Sequence, residues 1–299
     1  MRTLSCAAAM GLALISASAI PAAPLTRADG TIIHYTLDRP EGAVEGLILI
    51  AQGSGCLPTA KNPSLATVRA AFPNYAALMM EKSGVMPDAG IIEGFTDCPP
   101  EFHAGYTISQ RVADYRALIA HVRQEAPDLL RRLVLFGGSE GGLAVARLAV
   151  TEGPQASIIL SSATGMSLRD LVLETVPPEG KASVSAGFDA ASLDPEGTTL
   201  FAGSSHRFWA DILGQISLDY MLEAEGPFLQ IQGGRDASSP PSASRRALEA
   251  FAERGSCALT YWEFPGLDHG LAAPDGTAYL PDIIAMAALW VENAPEPCE

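Results

Sequence analysis

The sequence predicts one α/β domain built on a mostly parallel sheet with helices on both faces. Short apolar runs alternate with longer helical segments through most of the chain, and this alternation is typical of a parallel sheet covered by helices. The 299 residues are 48% hydrophobic, enough for one large core. A Gly-rich turn at residues 137–141 joins an apolar run to an Ala/Leu/Val-rich segment, as expected where a strand leads into a helix.

The elements follow one another with short connections. Apolar runs bounded by turn formers predict the strands, and Ala- and Leu-rich segments between them predict the helices. Because parallel strands end at the same edge of a sheet, we expect active residues at their carboxyl ends. The predicted strands are 31–37, 46–51, 77–82, 132–137, 156–161, 227–232 and 258–264, and the predicted helices are 64–73, 108–125, 140–151, 241–254 and 279–293.

The strand at 132–137 runs into a Gly-x-Ser-x-Gly turn centred on Ser139. A serine between a strand and a helix adopts a strained backbone that lifts its hydroxyl clear of the sheet, and the flanking glycines leave room for the turn. The helix N-terminus directs free N–H groups at charge that develops on an attacked carbonyl. Ser139 is therefore the predicted nucleophile, and the alternative is an ordinary Gly-rich turn.

A serine nucleophile needs a base, usually histidine, and one common chain order is serine, acid, histidine. Only two histidines, His206 and His269, follow Ser139. His269 lies in a loop of turn formers just after the apolar run at 258–264, whereas His206 lies far from any strand end. We predict that His269 is the base and that His206 is a cap or surface residue.

The acid is expected in the loop after the strand at 227–232. Asp236 lies there, 33 residues before His269, where it would hold the imidazole in the correct tautomer and stabilise the imidazolium. One alternative is that Asp236 only caps the helix that begins near Pro241. Another is that the acid is Asp268, although neighbours on a loop seldom point at one another.

The apolar strand at 46–51 leads directly into Gln-Gly-Ser-Gly at residues 52–55. The two glycines permit a tight turn whose N–H groups face inward. By position, the N–H of Ser54, or alternatively of Gly55, joins the N–H of Glu140 as an oxyanion donor. The Glu140 side chain is predicted to be a carboxylate that faces solvent or contacts a cap.

Taken together, the motifs at 52–55, 137–142, 233–236 and 268–270 resemble those of α/β-hydrolase fold serine hydrolases. The dienelactone-hydrolase-like and prolyl-oligopeptidase-like branches are the most similar. The resemblance extends from residue 30 to the chain end, and it implies the α/β-hydrolase fold with a triad of Ser139, Asp236 and His269. Many relatives carry histidine where this chain has Gln52. The oxyanion donors are backbone groups, so this departure affects the shape of the acyl pocket rather than the chemistry.

Residues 164–225 interrupt the alternation, and by the same resemblance they form a small cap insertion. Segments 166–174 and 205–213 look helical, whereas 177–198 looks loop-like because of its prolines and glycines. Three aromatic residues of this region either line an acyl pocket or pack the cap onto the core: Phe208, Trp209 and Tyr220.

The net charge of −15 argues against nucleic acid or an anionic membrane as a partner. The chain has neither zinc-type Cys and His spacing nor a phosphate-binding Gly-x-x-x-x-Gly-Lys motif. We therefore expect no metal and no cofactor, and a small-molecule ester or amide as the partner. The oligomeric state stays open.

Residues 1–19 are typical of a signal peptide: a positive start, an Ala/Leu-rich run and a small-x-small site. Cleavage is expected after Ala19, or alternatively after Ala23. The run is too short for a membrane span, although an uncleaved anchor is an alternative. The mature domain, 20–299, is expected to be exported to the periplasm or outside the cell, an oxidising environment, with no membrane span.

Four cysteines remain after signal removal: Cys56, Cys98, Cys257 and Cys298. The first two follow the carboxyl ends of strands, whereas Cys257 precedes the last strand and the final helix returns Cys298 to that opposite face. A strand separates the two faces by about 17–20 Å, and bridged Cα atoms lie within about 7 Å. The predicted pairs are therefore Cys56–Cys98 and Cys257–Cys298.

The predicted function is that of a secreted serine hydrolase that cleaves carboxylic esters through an acyl-enzyme. A serine peptidase or amidase with the same triad is the first alternative, and the lack of an N-terminal propeller argues against it. A non-catalytic binding protein of the same fold is the second alternative, disfavoured by a complete triad in the correct order.

Overall fold

The computed structural model describes residues 25–92 and 97–294. The predicted signal peptide and Cys298 lie outside the described residues. The strands are β1 (Leu25–Thr26), β2 (Ile32–Ile33), β3 (Tyr35–Asp38), β4 (Gly46–Ala51), β5 (Tyr75–Met80), β6 (Leu133–Gly138), β7 (Ala156–Leu160), β8 (Leu200–Phe201), β9 (Ser204–Ser205), β10 (Phe228–Gly233) and β11 (Leu259–Phe264).

Ten α-helices and two short 3-10 helices, Thr59–Lys61 and Pro127–Arg131, connect these strands in the described part of the chain. The α-helices are α1 (Pro63–Ala71), α2 (Pro100–Gly105), α3 (Ile108–Glu125), α4 (Glu140–Glu152), α5 (Leu168–Thr175), α6 (Pro178–Ser192), α7 (His206–Ile212), α8 (Ser217–Glu223), α9 (Pro241–Glu253) and α10 (Leu280–Glu292). Outside the predicted cap, each predicted strand and helix is present with ends shifted by one or two residues, the first strand being split into β2 and β3.

Seven strands form the central sheet in the order β11-β10-β7-β6-β4-β5-β3. All neighbours pair in parallel except β3, which runs antiparallel to β5. Alternate residues of β4 enter two different cores: Leu47 and Leu49 face α3 and α4, and Ile48 and Ile50 face α1 and α10. Strands buried on both faces read as continuous apolar runs, which confirms the predicted mostly parallel sheet with helices on both sides.

Between β7 and β10 the chain forms α5 to α8 and the β8–β9 hairpin. The prediction of a loop at 177–198 was wrong, because α6 occupies residues 178–192 of it. Pro178 stands in the first turn, where its fixed φ favours a helix and its missing N–H costs nothing. Gly187 is needed for close packing, since a Cβ there would lie 2.2 Å from the Phe201 ring.

Phe208 and Tyr220 pack this region onto the core, and Trp209 packs within the region. Phe208 stacks with Tyr106 at 5.8 Å between ring centroids, and Trp209 lies 5.0 Å from Phe188. Tyr220 lies under the guanidinium of Arg147 at 5.7 Å. The structure therefore supports the packing interpretation of these aromatics. Within residues 25–92 and 97–294, no helix has both the length and the apolar character needed to cross a membrane.

Candidate active site

Ser139 occupies a sharp turn between β6 and α4. Its φ of 51° and ψ of −122° lie in a region that residues with a side chain rarely adopt, and such strain clusters at functional sites. The turn is tight because a Cβ on Gly137 would lie 2.3 Å from the carbonyl oxygen of Gly141. The sequence thus folds here into the predicted elbow, with the serine side chain in a cavity.

Two unpaired N–H groups lie beside this serine. Glu140 is the first residue of α4, so its N–H has no acceptor within the helix. Loop 52–55 passes directly over the elbow, since a Cβ on Gly53 would lie 3.3 Å from Cβ of Ser139. Within the described residues, neither the N–H of Ser54 nor that of Glu140 donates to a protein acceptor.

Asp236 and His269 are hydrogen-bonded, with 2.8 Å between Oδ2 and Nδ1. Asp236 is 3% exposed, and its carboxylate accepts further hydrogen bonds from the N–H groups of Ser238 and Ser239 and from Nε2 of Gln232. Burial alone would raise the pKa of Asp236, but these hydrogen bonds hold the pKa below its ordinary value. An ionised carboxylate accepts the Nδ1 proton and leaves Nε2 of His269 as the basic nitrogen.

The two other candidates lie elsewhere. Oδ1 of Asp268 accepts the N–H groups of Gly270 and Ala272, both at 2.9 Å, so this carboxylate stabilises its own loop. His206 pairs with Asp194 at 3.0 Å in the region between β7 and β10. The structure therefore brings Asp236, and not Asp268, to His269.

Ser139 and His269 line the same cavity, of about 550 Å³, although the described structure shows no hydrogen bond between them. A second cavity of about 220 Å³ adjoins the same two residues. Among the described residues, Glu140 is the only Asp, Glu, Lys or Arg that lines the larger cavity, and none lines the smaller one. The apolar residues of the larger cavity include Leu143, Met166, Leu168, Leu171 and Ile212.

The prediction for the Glu140 side chain was wrong. It is 9% exposed and accepts hydrogen bonds from Lys82 at 2.9 Å, from Arg111 at 3.5 Å and from the hydroxyl of Tyr106. Burial would raise the pKa of Glu140, but the two cations hold the pKa below its ordinary value. A carboxylate in a first helical turn usually faces solvent, and only the tertiary structure brings these partners to it.

Lys82, Tyr106 and Arg111 were missed by the sequence analysis. One signal was present: Lys82 follows β5, the strand next to β4, and parallel strands bring their carboxyl ends to one edge. Burial lowers the pKa of Lys82 to about 8, so the ammonium form predominates at neutral pH.

The disulfide Cys56–Cys98 is present, with a Cα–Cα distance of 5.7 Å, and this pairing is confirmed. Cys257 is also disulfide-bonded. Because Cys298 lies outside the described residues, the pair Cys257–Cys298 stays a prediction.

Replacing Cys56 and Cys98 together by alanine is expected to lower the free energy of unfolding by about 3–4 kcal/mol, from the loop-closure entropy of the unfolded chain. It is also expected to lower ester hydrolysis, because Cys56 anchors the end of loop 52–55. Urea unfolding and initial rates measured well below the transition check both effects. Cys257→Ala is the control, with a comparable loss of stability and a smaller loss of activity. Equal activity losses in the two variants would contradict the bracing role.

No protein-family model matches the chain, and no curated protein does either. Solved structures do match. Est1E from Butyrivibrio proteoclasticus is 15% identical with a TM-score of 0.61, covering 92% of this chain and 100% of that chain. A monoacylglycerol lipase from Paleococcus ferrophilus is 17% identical with a TM-score of 0.60, covering 87% of this chain and 98% of that chain. A puromycin hydrolase is 18% identical with a TM-score of 0.60, covering 92% of this chain but 39% of that chain.

These likenesses and the strand order show that the chain has the α/β-hydrolase fold, as predicted. At 15–18% identity the likeness concerns the fold alone. One fold hosts many activities, so the function has to be argued from the residues of the site.

Proposed function

We propose that the protein is a serine hydrolase that cleaves carboxylic esters through an acyl-enzyme. The observation that carries the proposal is the arrangement around one cavity: the strained Ser139 lines it beside His269, and the buried Asp236 orients His269. A nucleophile, a base and a group that orients the base are the three parts of covalent serine catalysis.

In the proposed mechanism, Oγ of Ser139 attacks the ester carbonyl carbon while Nε2 of His269 takes the hydroxyl proton. The tetrahedral oxyanion accepts hydrogen bonds from the N–H groups of Ser54 and Glu140. Collapse of this tetrahedral intermediate breaks the bond between the carbonyl carbon and the alcohol oxygen, and the alcohol leaves with the proton from His269. Water then attacks the acyl-enzyme and gives a proton to His269, which passes this proton to Oγ of Ser139 as the acid departs. Asp236 stabilises the imidazolium in both halves of the reaction.

The charge of the cavities supports an uncharged substrate. Burying a substrate carboxylate or ammonium without a partner is costly. Glu140, the one acidic residue at the larger cavity within the described part of the chain, is already bonded to Lys82. The apolar residues there favour an acyl or alcohol group that is mainly hydrocarbon. The structural likeness to a monoacylglycerol lipase is consistent with ester cleavage.

We also propose that the protein is exported. A disulfide joins Cys56 and Cys98, which are 42 residues apart in the sequence, and such bonds persist mainly in oxidising compartments. The pattern of residues 1–19 agrees with this location.

The test is a panel of 4-nitrophenyl esters of increasing acyl length beside the matched anilides, with the chain lacking residues 1–19. Esters are expected to be cleaved faster than anilides. The butyrate is expected to exceed the monosuccinate, which is similar in length but charged, by about tenfold or more in kcat/KM. Anilide cleavage without ester cleavage would make the protein an amidase. Failure on both, together with no labelling by a fluorophosphonate, would indicate a binding protein.

A further inference from the structure

Four side chains form a buried charge cluster behind loop 52–55: Lys82, Tyr106, Arg111 and Glu140. Lys82 follows β5, Arg111 lies on α3 and Glu140 begins α4. The side chains of Lys82 and Arg111 are 0% and 1% exposed. Burial raises the pKa of Tyr106 and keeps its hydroxyl neutral, so two cations and one anion leave a net charge of +1. The proposed mechanism uses none of these side chains.

Lys82 binds the backbone of the loop as well as Glu140. Its Nζ donates to the carbonyl oxygen of Gly53 at 2.7 Å. In a planar trans peptide the C=O and the next N–H point in opposite directions, and the next N–H here belongs to Ser54. Because Lys82 lies fully buried on the carbonyl side, the N–H of Ser54 is directed away from the cluster, toward the cavity that Ser54 and Ser139 line.

Arg111 makes the equivalent contact one peptide earlier. Its Nη2 donates to the carbonyl oxygen of Gln52 at 2.7 Å, so the N–H of Gly53 also points away from the cluster. The start of α4 packs against this same carbonyl, since a Cβ on Gly141 would lie 2.7 Å from it. Two consecutive peptides of the loop are thus each held by a buried cation.

These contacts oppose a rotation that the loop would otherwise permit. Glycine allows peptide rotation at little steric cost, and Gly55 already has a φ of 85°. If the peptide between Gly53 and Ser54 rotated, its carbonyl oxygen would face the oxyanion and repel it. In this structure the rotation breaks a charge-assisted hydrogen bond and leaves a buried ammonium short of an acceptor, which is strongly unfavourable.

We propose that Lys82 and Arg111 are positioning residues that hold loop 52–55 in its donating orientation and strengthen its N–H groups toward an oxyanion. A cation on the carbonyl end polarises a peptide, and hydrogen bonds in a chain strengthen one another. The net positive charge also stabilises negative charge on the attacked oxygen in a site shielded from water. Glu140 compensates one of the two cations in the buried site. This inference rests on the proposed function.

The test is Lys82→Met, which removes the ammonium and keeps an apolar side chain. The kcat for a 4-nitrophenyl ester is expected to fall about 10²- to 10³-fold, as when one oxyanion donor is lost. KM is expected to stay unchanged, because the interaction is made in the transition state. Affinity for a boronic acid, whose serine adduct carries a negative tetrahedral centre, is expected to fall in parallel.

The matched control is Arg27→Met. This change breaks a mostly buried ion pair in which Nη2 of Arg27 lies 2.6 Å from Oδ2 of Asp114. Asp114 lies on α3, the same helix as Arg111. This variant is expected to lose stability but to keep the kcat of the unmodified protein. If Lys82→Met does not fold, combining it with Glu140→Gln removes both charges of the pair and is expected to show the same loss of kcat.

Unchanged kcat and unchanged boronic acid affinity in a folded Lys82 variant would overturn the proposal. A rise in KM alone would also overturn it, since Lys82 would then act in substrate binding. A lack of ester hydrolysis by the unmodified protein would instead refute the proposed function, so the two failures are distinguishable.

Discussion

Replacing Ser139 by alanine is expected to abolish ester hydrolysis, with turnover falling on the order of a million-fold. The serine hydroxyl is the only group of the proposed mechanism that forms a covalent bond to the substrate. The variant is expected to fold, because removing the Oγ of Ser139 breaks no hydrogen bond in the described structure. Initial rates with a 4-nitrophenyl ester, and labelling by a fluorophosphonate followed by mass spectrometry, measure the loss.

Ser217→Ala is the matched control for that experiment. Ser217 lies at the start of α8 and lines the same cavity as Ser139, but it is not at the elbow. This variant is expected to keep both hydrolysis and labelling. Labelling of the Ser139→Ala variant to the level of the unmodified protein would show that another residue is the nucleophile.

The positions of Ser139, Asp236 and His269 were predictable because local sequence and topology agree at each of them. All three follow an apolar run of β6, β10 or β11, and these strands lie in one parallel sheet. Parallel strands necessarily bring such residues to one edge. Short-range signals were therefore sufficient to predict which side chains the structure places near one cavity.

The charge cluster was not predictable in the same way. Lys82 and Arg111 lie 58 and 29 residues from Glu140 in the sequence, and no local pattern distinguishes a buried lysine from an exposed one. Helix α6 was not predicted, for a related reason. Its prolines and glycines signal a loop when read locally, whereas the packing of Phe188 against Trp209 stabilises the helix through contacts that sequence patterns do not reveal.

Replacing Asp236 by asparagine tests whether Asp236 or Asp268 is the acid. This change is expected to lower turnover by about ten-thousand-fold while the fold is kept. Oδ1 of residue 236 must accept the N–H groups of Ser238 and Ser239, so an asparagine there would place its NH₂ group against Nδ1 of His269. That contact favours the tautomer with the proton on Nε2, which cannot act as the base.

The two backbone N–H groups prevent the asparagine amide from turning over, because a turned amide would direct its NH₂ group at both of these donors. Gln232, whose Nε2 donates to Oδ2 of Asp236, would lose that acceptor in the variant. The control is Asp268→Asn, whose oxygen can still accept the two N–H groups of its own loop, so activity is expected to change little. Rates and thermal unfolding of both variants make the comparison. A severe loss for Asp268→Asn beside a mild one for Asp236→Asn would make Asp268 the acid, and would mean that the hydrogen bond between Asp236 and His269 is structural rather than catalytic.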